Sequence, residues 1–278
     1  MSQRLGPRTQ VMGVINITPD SFSDGGRFET PDRALAQARR MLSGGVEILD
    51  LGAQSTRPGA NDVGAEVELQ RLLPALRLIR AEGQGLLSID TYRAPVAAAA
   101  LEAGADWIND ISGGRLDPGI LKVVAEAGCP YVLMHSRGDS HSMDQLVDYG
   151  SEGVVAGVLS ELRRASERAL AAGVRQQQLI WDPGLGFAKT TEQNLELLRG
   201  LEQLQQDGIP LLVGPSRKRF IGAVLNEPRA KARLWGTAAV VAHCVAAGVA
   251  VVRVHDGPPI AQVVRMAEAM KKAPLREP

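Results

Sequence analysis

Cysteine is almost missing from this chain: Cys129 and Cys244 are the only two in 278 residues, each in an apolar setting. Two isolated cysteines make neither a disulfide framework nor a metal-ligand spacing, so they read as reduced core thiols of a cytoplasmic protein. A surplus of either charge is missing too, with 31 Lys and Arg against 31 Asp and Glu. A general binder of nucleic acid or of a membrane surface would be basic, so neither partner is expected and any positive site must be local. Long apolar runs are also lacking. The longest, around Ala238 to Val252, is interrupted by His243 and Gly248 and falls short of a membrane span. Met1 to Arg8 has no apolar core of the kind a signal peptide needs. Finally, Gly13 stands alone after the first apolar segment, so the Gly-rich turn of a dinucleotide-binding sheet is absent.

What is present is a repeat of architecture. A helical stretch ends at glycine, an apolar strand follows, and a polar residue closes the unit. Ala103-Gly104 leads through Trp107-Ile to Asn109, and Ala127-Gly128 through Tyr131-Val-Leu-Met to His135. Asp207-Gly208 leads to Ser216, and Ala247-Gly248 to Arg253 and His255. Glycine just past a helix is the expected left-handed cap. Strands that are apolar throughout, rather than alternating, imply burial on both faces as in parallel sheets.

Eight strands are predicted, starting near Val11, Ile48, Leu86, Trp107, Tyr131, Leu179, Leu211 and Val251. Helices are predicted over 31–43, 64–82, 94–103, 118–127, 151–172, 192–206, 230–247 and 258–271. Eight alternating units in this length predict a (β/α)8 TIM barrel, an α/β fold. It would be a single domain over 1–278 with its core at about 10–271, since no linker or composition shift divides the chain. A doubly wound open sheet is the alternative, but it usually has fewer strands.

In such a barrel the active site lies at the carboxyl ends of the strands. Polar residues stand there almost every time: Asn16, Asp50, Asp90, Asn109, His135, Asp182, Ser216, Lys218, Arg253 and His255. Any one of them could cap a helix, as Asp90 before Thr91 and Pro95 could. So many on one rim are hard to explain as caps. Asp90, Asn109 and Asp182 are acceptors suited to the N–H edge of a heterocycle with a guanidine-like amine. Arg57, Lys218, Arg219, Arg253 and His255 suit phosphates and carboxylates. Asn16 could offer a hard oxygen to Mg²⁺ or simply shape a turn. Phe187 could stack on a ring or plug the core, and Trp107 and Trp181 read as core.

The stretch Leu211 to Gly222 is distinctive. A buried strand ends in Gly-Pro-Ser, and Arg217, Lys218 and Arg219 follow where a helix begins and an anion could arrive. A solvated basic turn is the plainer reading. Two loops, Thr18 to Arg27 and Gln54 to Val63, are rich in Gly, Pro, Ser and Asp or Asn. Either could close over a substrate.

Several segments together resemble the dihydropteroate synthase family. They are Asn16-Ile-Thr-Pro-Asp-Ser-Phe-Ser-Asp-Gly-Gly, Ser55-Thr-Arg-Pro-Gly-Ala, Ser88-Ile-Asp-Thr, Ile108-Asn-Asp-Ile, Leu133-Met-His, Asp182-Pro-Gly-Leu-Gly-Phe, Ser216-Arg-Lys and Arg253-Val-His-Asp. The likeness runs in family order from about residue 10 to 270. It implies a transferase of folate biosynthesis and a sulfonamide target. The reaction joins 6-hydroxymethyl-7,8-dihydropterin pyrophosphate to p-aminobenzoate, with Mg²⁺, and these two small molecules are the expected partners. A cytoplasmic homodimer formed through late helices is also implied, with Thr237 to Val249 either at the interface or in the core.

By motif position, Asp90, Asn109, Asp182 and Lys218 match the family's pterin-binding residues, with Met134 in the pocket wall. Arg253 matches a residue on the pterin face that reaches phosphate. Asn16, Thr56 and His255 match the pyrophosphate site, where Asn16 also meets the metal. Phe22 and Asp24, with Thr56, Arg57 and Pro58, match the two lids of the p-aminobenzoate pocket. Phe187, Lys218 and Arg219 stand at its inner side. The resemblance makes Asp90, Asp182, Lys218, Arg253 and His255 the catalytic set. The implied chemistry is ionisation at the pterin methylene, which needs no covalent nucleophile.

Three positions depart from the family's common residues: Gln54 where Glu is frequent, Arg219 where Ser is frequent, and Trp235 where Ser or Glu is frequent. A pterin-binding methyltransferase, a non-catalytic pterin-binding relative and a sugar-phosphate barrel enzyme are the competing expectations. The first would not need the pyrophosphate set, and the third would not need three acceptors for a guanidine-like edge.

Overall fold

Each apolar segment between a glycine stop and a polar residue forms a strand. The computed structural model describes residues 5, 6, 8–18, 30–54, 62–139 and 141–272. The strands are β1 (Gln10–Asn16), β2 (Ile48–Gly52), β3 (Leu86–Asp90), β4 (Trp107–Asp110), β5 (Tyr131–Met134), β6 (Leu179–Asp182), β7 (Leu212–Val213) and β8 (Val251–Val254). All are parallel, in the order β6-β5-β4-β3-β2-β1-β8-β7. A single bridge between Trp181 and Leu211 closes the ring, with Trp181 N–H donating to Pro210 O at 2.9 Å. The expected (β/α)8 barrel is therefore what forms. β7 is two residues long and starts one residue later than expected. Pro210 and Pro215 flank it, and proline has no N–H to give a ladder.

Side chains alternate across a strand, so every second residue faces the lumen. Met12, Ile48, Trp107, Val132, Ile180, Leu212 and Val251 form one apolar cluster that fills the lower lumen. Two residues further along the same strands come Val14, Asp50, Asn109, Met134, Asp182, Gly214 and Arg253. The lumen thus carries an apolar floor and, one layer up, a polar ring. The other faces of the strands pack with the helices in a second, larger cluster that includes Leu49, Leu51, Ile89, Ile108, Leu133 and Val252.

The helices are α1 (Thr30–Ser43), α2 (Gly64–Ala81), α3 (Ala94–Glu102), α4 (Gly119–Ala127), α5 (Gly153–Ala171), α6 (Thr191–Arg199), α7 (Leu201–Leu204), α8 (Arg219–Leu225), α9 (Leu234–Ala246) and α10 (Gly257–Lys272). Three expected helices differ. The stretch 192–206 is two helices, because Gly200 ends α6 and starts the single turn α7. The ends of 151–172 and 230–247 nearest the N-terminus are 3-10 turns, at Gly150–Glu152 and Ala230–Arg233. α6 is well started: Thr190 Oγ1 accepts from Gln193 N–H at 3.3 Å and Gln193 Oε1 accepts from Thr190 N–H at 2.9 Å. α4 ends as expected on a left-handed glycine, Gly128 at φ 66°.

Cys129 and Cys244 are buried and unbonded, and burial pushes their thiols up to about 11 and about 12. Among the described residues no helix is long and apolar enough to cross a membrane.

Candidate active site

The polar ring is built around one guanidinium. Arg253 Nε donates to Asp50 Oδ2 and its Nη2 to Asp90 Oδ2, both at 2.6 Å. Asp50 is fully buried and also accepts from Ser88 Oγ at 2.6 Å and from Asn109 Nδ2 at 3.1 Å. Burial alone would lower the Arg253 pKa; Asp50 and Asp90 outweigh it and hold Arg253 above its ordinary value. For Asp90 burial raises the pKa, as do Asp50, Glu68 and Asp110, while Arg253 opposes them. Asp90 is thus a wall residue and not the cap of α3, whose N-cap is Arg93.

Asp90 Oδ1 is buried with no hydrogen-bond partner among the described residues. An unpaired buried acceptor costs roughly 1–3 kcal/mol, so this one awaits a donor. Asn109 stands beside Asp90 on the neighbouring strand. Its Nδ2 is committed to Asp50, which leaves Oδ1 at the other end of the amide. Across the ring, Asp182 uses Oδ1 to accept the Gly184 N–H at 2.7 Å. Burial raises Asp182, against Gly184, Lys218, Arg253 and Lys189. Met134 pairs with Asp182 in register and is buried, in keeping with a wall position.

The Asp182 turn needs its glycines. At Gly184, φ is 68° and a Cβ would come within 2.0 Å of His135 O. At Gly186, φ is 78° and a Cβ would meet Lys218 Cδ at 3.0 Å. Phe187 follows, and Lys218 Nζ lies 4.3 Å from its ring centroid. Withdrawal from water pulls Lys218 down to about 8, with Asp182 the largest opposing influence.

The three cations after β7 part company. Arg217, at φ 59°, forms a two-pronged pair with Asp256, its Nε at 2.9 Å and Nη2 at 2.5 Å. Arg219 is exposed and chelates Asp144, at 3.1 and 2.6 Å. Only Lys218 lies against Phe187 and within the field of Asp182 and Asp90. The expectation of three cations converging on an anion is therefore reduced to one.

His255 is held by Ser216, whose Oγ accepts the His255 N–H at 3.0 Å and lies 3.0 Å from Nδ1. The hydroxyl can donate to Nδ1 while accepting that N–H, an arrangement that puts the ring proton on Nε2. Burial, Arg253 and Arg217 pull His255 down to about 3, so in the free protein it is a neutral donor and not a cation. Asn16 ends β1 half-buried, paired with Gly52. Phe22, Asp24, Thr56, Arg57 and Pro58 lie outside the described residues. At the edges of the second loop, Gln54 Oε1 accepts the Val63 N–H at 3.0 Å.

Behind Asp182 lies a cluster that sequence reasoning left without a role. Lys189 Nζ donates to Gly184 O at 3.1 Å and Phe187 O at 2.9 Å, and contacts His135 Nδ1 at 2.9 Å. His135 Nε2 meets Glu161 Oε2 at 2.9 Å, and Glu161 is also held by Arg137. These bonds pin the turn that carries Asp182 and Phe187. His135 at a strand end and a lysine two residues past Phe187 are its sequence marks, and a lone lysine normally reads as surface. Burial and Lys189 pull His135 down to about 4. By NMR its imidazole is therefore expected to stay neutral, protonated at Nε2, down to about pH 5. Titration near the ordinary value of about 6.5 would contradict this arrangement.

Fold and site together make a barrel whose strand ends carry hydrogen-bond acceptors beside a guanidinium, the chemistry of an enzyme for small polar ligands. Residues 12–255 match the family described as pterin binding enzyme. A dihydropteroate synthase of Synechocystis is 49% identical over 95% of this chain and 91% of its own. A dihydropteroate synthase of Xanthomonas albilineans, solved with 4-aminobenzoic acid, superposes with a TM-score of 0.91 at 37% identity, covering 99% of this chain and 100% of that one. The same enzyme in complex with 7,8-dihydropteroate gives 0.86 at 35%, covering 96% and 95%. Longer relatives include plant folate synthesis bifunctional proteins, of which the chain spans about half. The chain belongs to the pterin-binding enzyme family and, within it, to the dihydropteroate synthase transferases.

Proposed function

We propose that this protein condenses 6-hydroxymethyl-7,8-dihydropterin pyrophosphate with p-aminobenzoate, giving 7,8-dihydropteroate and pyrophosphate. The observation that carries this reading is the open acceptor Asp90 Oδ1, with Asn109 and Asp182 on the same ring, beside Arg253. Three acceptors on one ring suit the ring N–H and amino groups of a pterin, and Arg253 with the Nε2 donor of His255 suits the diphosphate.

An aryl amine is a weak nucleophile, so the electrophile must be made reactive. A dissociative displacement is the route these residues favour. Asp90 and Asp182 stabilise positive charge on the pterin as the CH₂–O bond lengthens, while Arg253 and His255 hold the departing oxygens. Phe187 and Lys218 form a wall beside the methylene.

Among the described residues no group of three His, Cys, Asp or Glu is placed to hold a metal ion. Mg²⁺ would arrive with the diphosphate, since it favours substrate phosphates and few protein ligands, and the half-buried amide of Asn16 offers the hard oxygen it takes. Asn16 would be its protein oxygen. When bound, Mg²⁺ neutralises charge building on the leaving group.

For Arg219 to meet the p-aminobenzoate carboxylate it must give up Asp144, an exchange of one carboxylate for another. A homodimer is also part of this reading. Trp235 is 79% exposed, and Leu225 and Val224 are exposed close by at the end of α8. Thr237, Val241, Cys244 and Val245 are by contrast buried in the core, so an interface would use the start of α9 and its outer face at Ala239, His243 and Ala246. Val224→Arg is expected to shift sedimentation from dimer to monomer; an unchanged sedimentation coefficient would remove this face as the interface.

The test is pyrophosphate release by the purified protein with the dihydropterin pyrophosphate and Mg²⁺, with and without p-aminobenzoate. Release that depends on p-aminobenzoate, matched by dihydropteroate formed, supports the synthase. Tight pterin binding without coupled release would instead indicate a non-catalytic relative.

A further inference from the structure

Asp50 is the one acidic residue of the polar ring with no surface left for a ligand. Its side chain is fully buried, Oδ1 is taken by Ser88, and Oδ2 is shared by Asn109 and Arg253. A carboxylate only accepts, so whichever end of the Asn109 amide meets it must be the NH₂. The reversed amide would set oxygen against a buried anion. Asp50 therefore decides chemically, from behind, which end of Asn109 is turned to the site.

We propose that Asp50 is the specificity-determining positioning residue of this site, fixing Asn109 as an acceptor toward the ligand's amino edge. This rests on the pterin reading given above. Without Asp50 the amide is free to turn over and present NH₂. The site would then accept a ligand with oxygen in place of the amino group. No other described residue accepts from Asn109 Nδ2, so nothing replaces Asp50 in this role.

Two variants separate its charge from its hydrogen bonds. In Asp50→Asn the side-chain oxygen keeps the Oδ2 position and still accepts from Asn109 and Arg253. Its NH₂ then donates to Ser88, whose hydroxyl can accept as well as give. In Asp50→Leu, of similar shape, no acceptor remains. The probes are 6-hydroxymethylpterin and its lumazine counterpart, which bears oxygen in place of the 2-amino group. Affinities are read by calorimetry on proteins whose fold is checked by circular dichroism.

Wild type and Asp50→Asn are expected to keep the same preference for pterin. Asp50→Leu should lose at least about 10-fold of that preference, the scale of one hydrogen bond made or mismatched. A merely structural role would weaken both probes together and leave the ratio alone; an unchanged ratio in a folded Asp50→Leu overturns the proposal.

Should Asp50→Leu not fold, wild-type protein with ¹⁵N-labelled asparagine decides. One Asn109 Nδ2 proton should be strongly protected from solvent exchange and the other weakly. Equal, weak protection of both would overturn the assignment. A wild type with no preference for pterin would count against the pterin reading instead, and the exchange experiment would still report the amide's orientation.

Discussion

Asp182→Asn is expected to reduce kcat/KM for the condensation by roughly 100- to 1000-fold, the usual scale for losing one buried transition-state contact. The fold should survive. The new amide can turn its oxygen to the Gly184 N–H, which Asp182 Oδ1 now accepts at 2.7 Å. That choice leaves NH₂ facing the ligand, where an acceptor is required. A donor then meets a donor in a dry pocket, and the positive charge that develops on the ring has lost a counter-ion. Thermal melting should change little while pterin affinity falls steeply. Activity within 10-fold of wild type would mean that Asp182 shapes the turn and does not bind the ring.

Arg253→Met is expected to damage both activity and stability. Asp50 and Asp90 share this one guanidinium, and both are buried. Removing a buried partner costs about 3–5 kcal/mol, a fall in Tm on the order of 10 °C for a chain of this size. The pH dependence follows from linkage. Without the cation Asp90, which burial already raises, holds a proton that the unfolded chain releases above about pH 4. The folded state then binds more protons, so stability is greatest in acid and is lost as pH rises toward neutral, by about 1.4 kcal/mol per pH unit for that carboxylate. A melting curve as a function of pH reads this directly. Stability equal to wild type at pH 7 would show that Arg253 is held for the ligand alone.

Much of this site was legible because period-two strands put its residues on one layer. Ile48 to Asp50, Trp107 to Asn109, Ile180 to Asp182 and Val251 to Arg253 are each two residues, one step up the lumen. A sequence shows that step as an apolar strand with a polar end. What it does not show is partnership across the barrel. Asp50 and Arg253 are 203 positions apart, and Lys189 and His135 are 54 apart. Nor does a run of three cations reveal that Arg217 and Arg219 are spent on Asp256 and Asp144. The stretch 192–206 splits into two helices for a local reason. Gly200 abuts Val155 so closely that a Cβ would lie 2.8 Å from it, and a packing demand of that kind leaves no periodic trace.

The ring of strands is stapled shut by one bridge, between Trp181 and Leu211, where every other junction is a ladder of two to five paired residues. That thin joint has Asp182 on one side and, past β7, Lys218 on the other. A pterin spanning the two would act as a tie across the staves. Substrate would then complete the container that holds it, and the empty barrel would be loosest where the ring must be gripped most tightly.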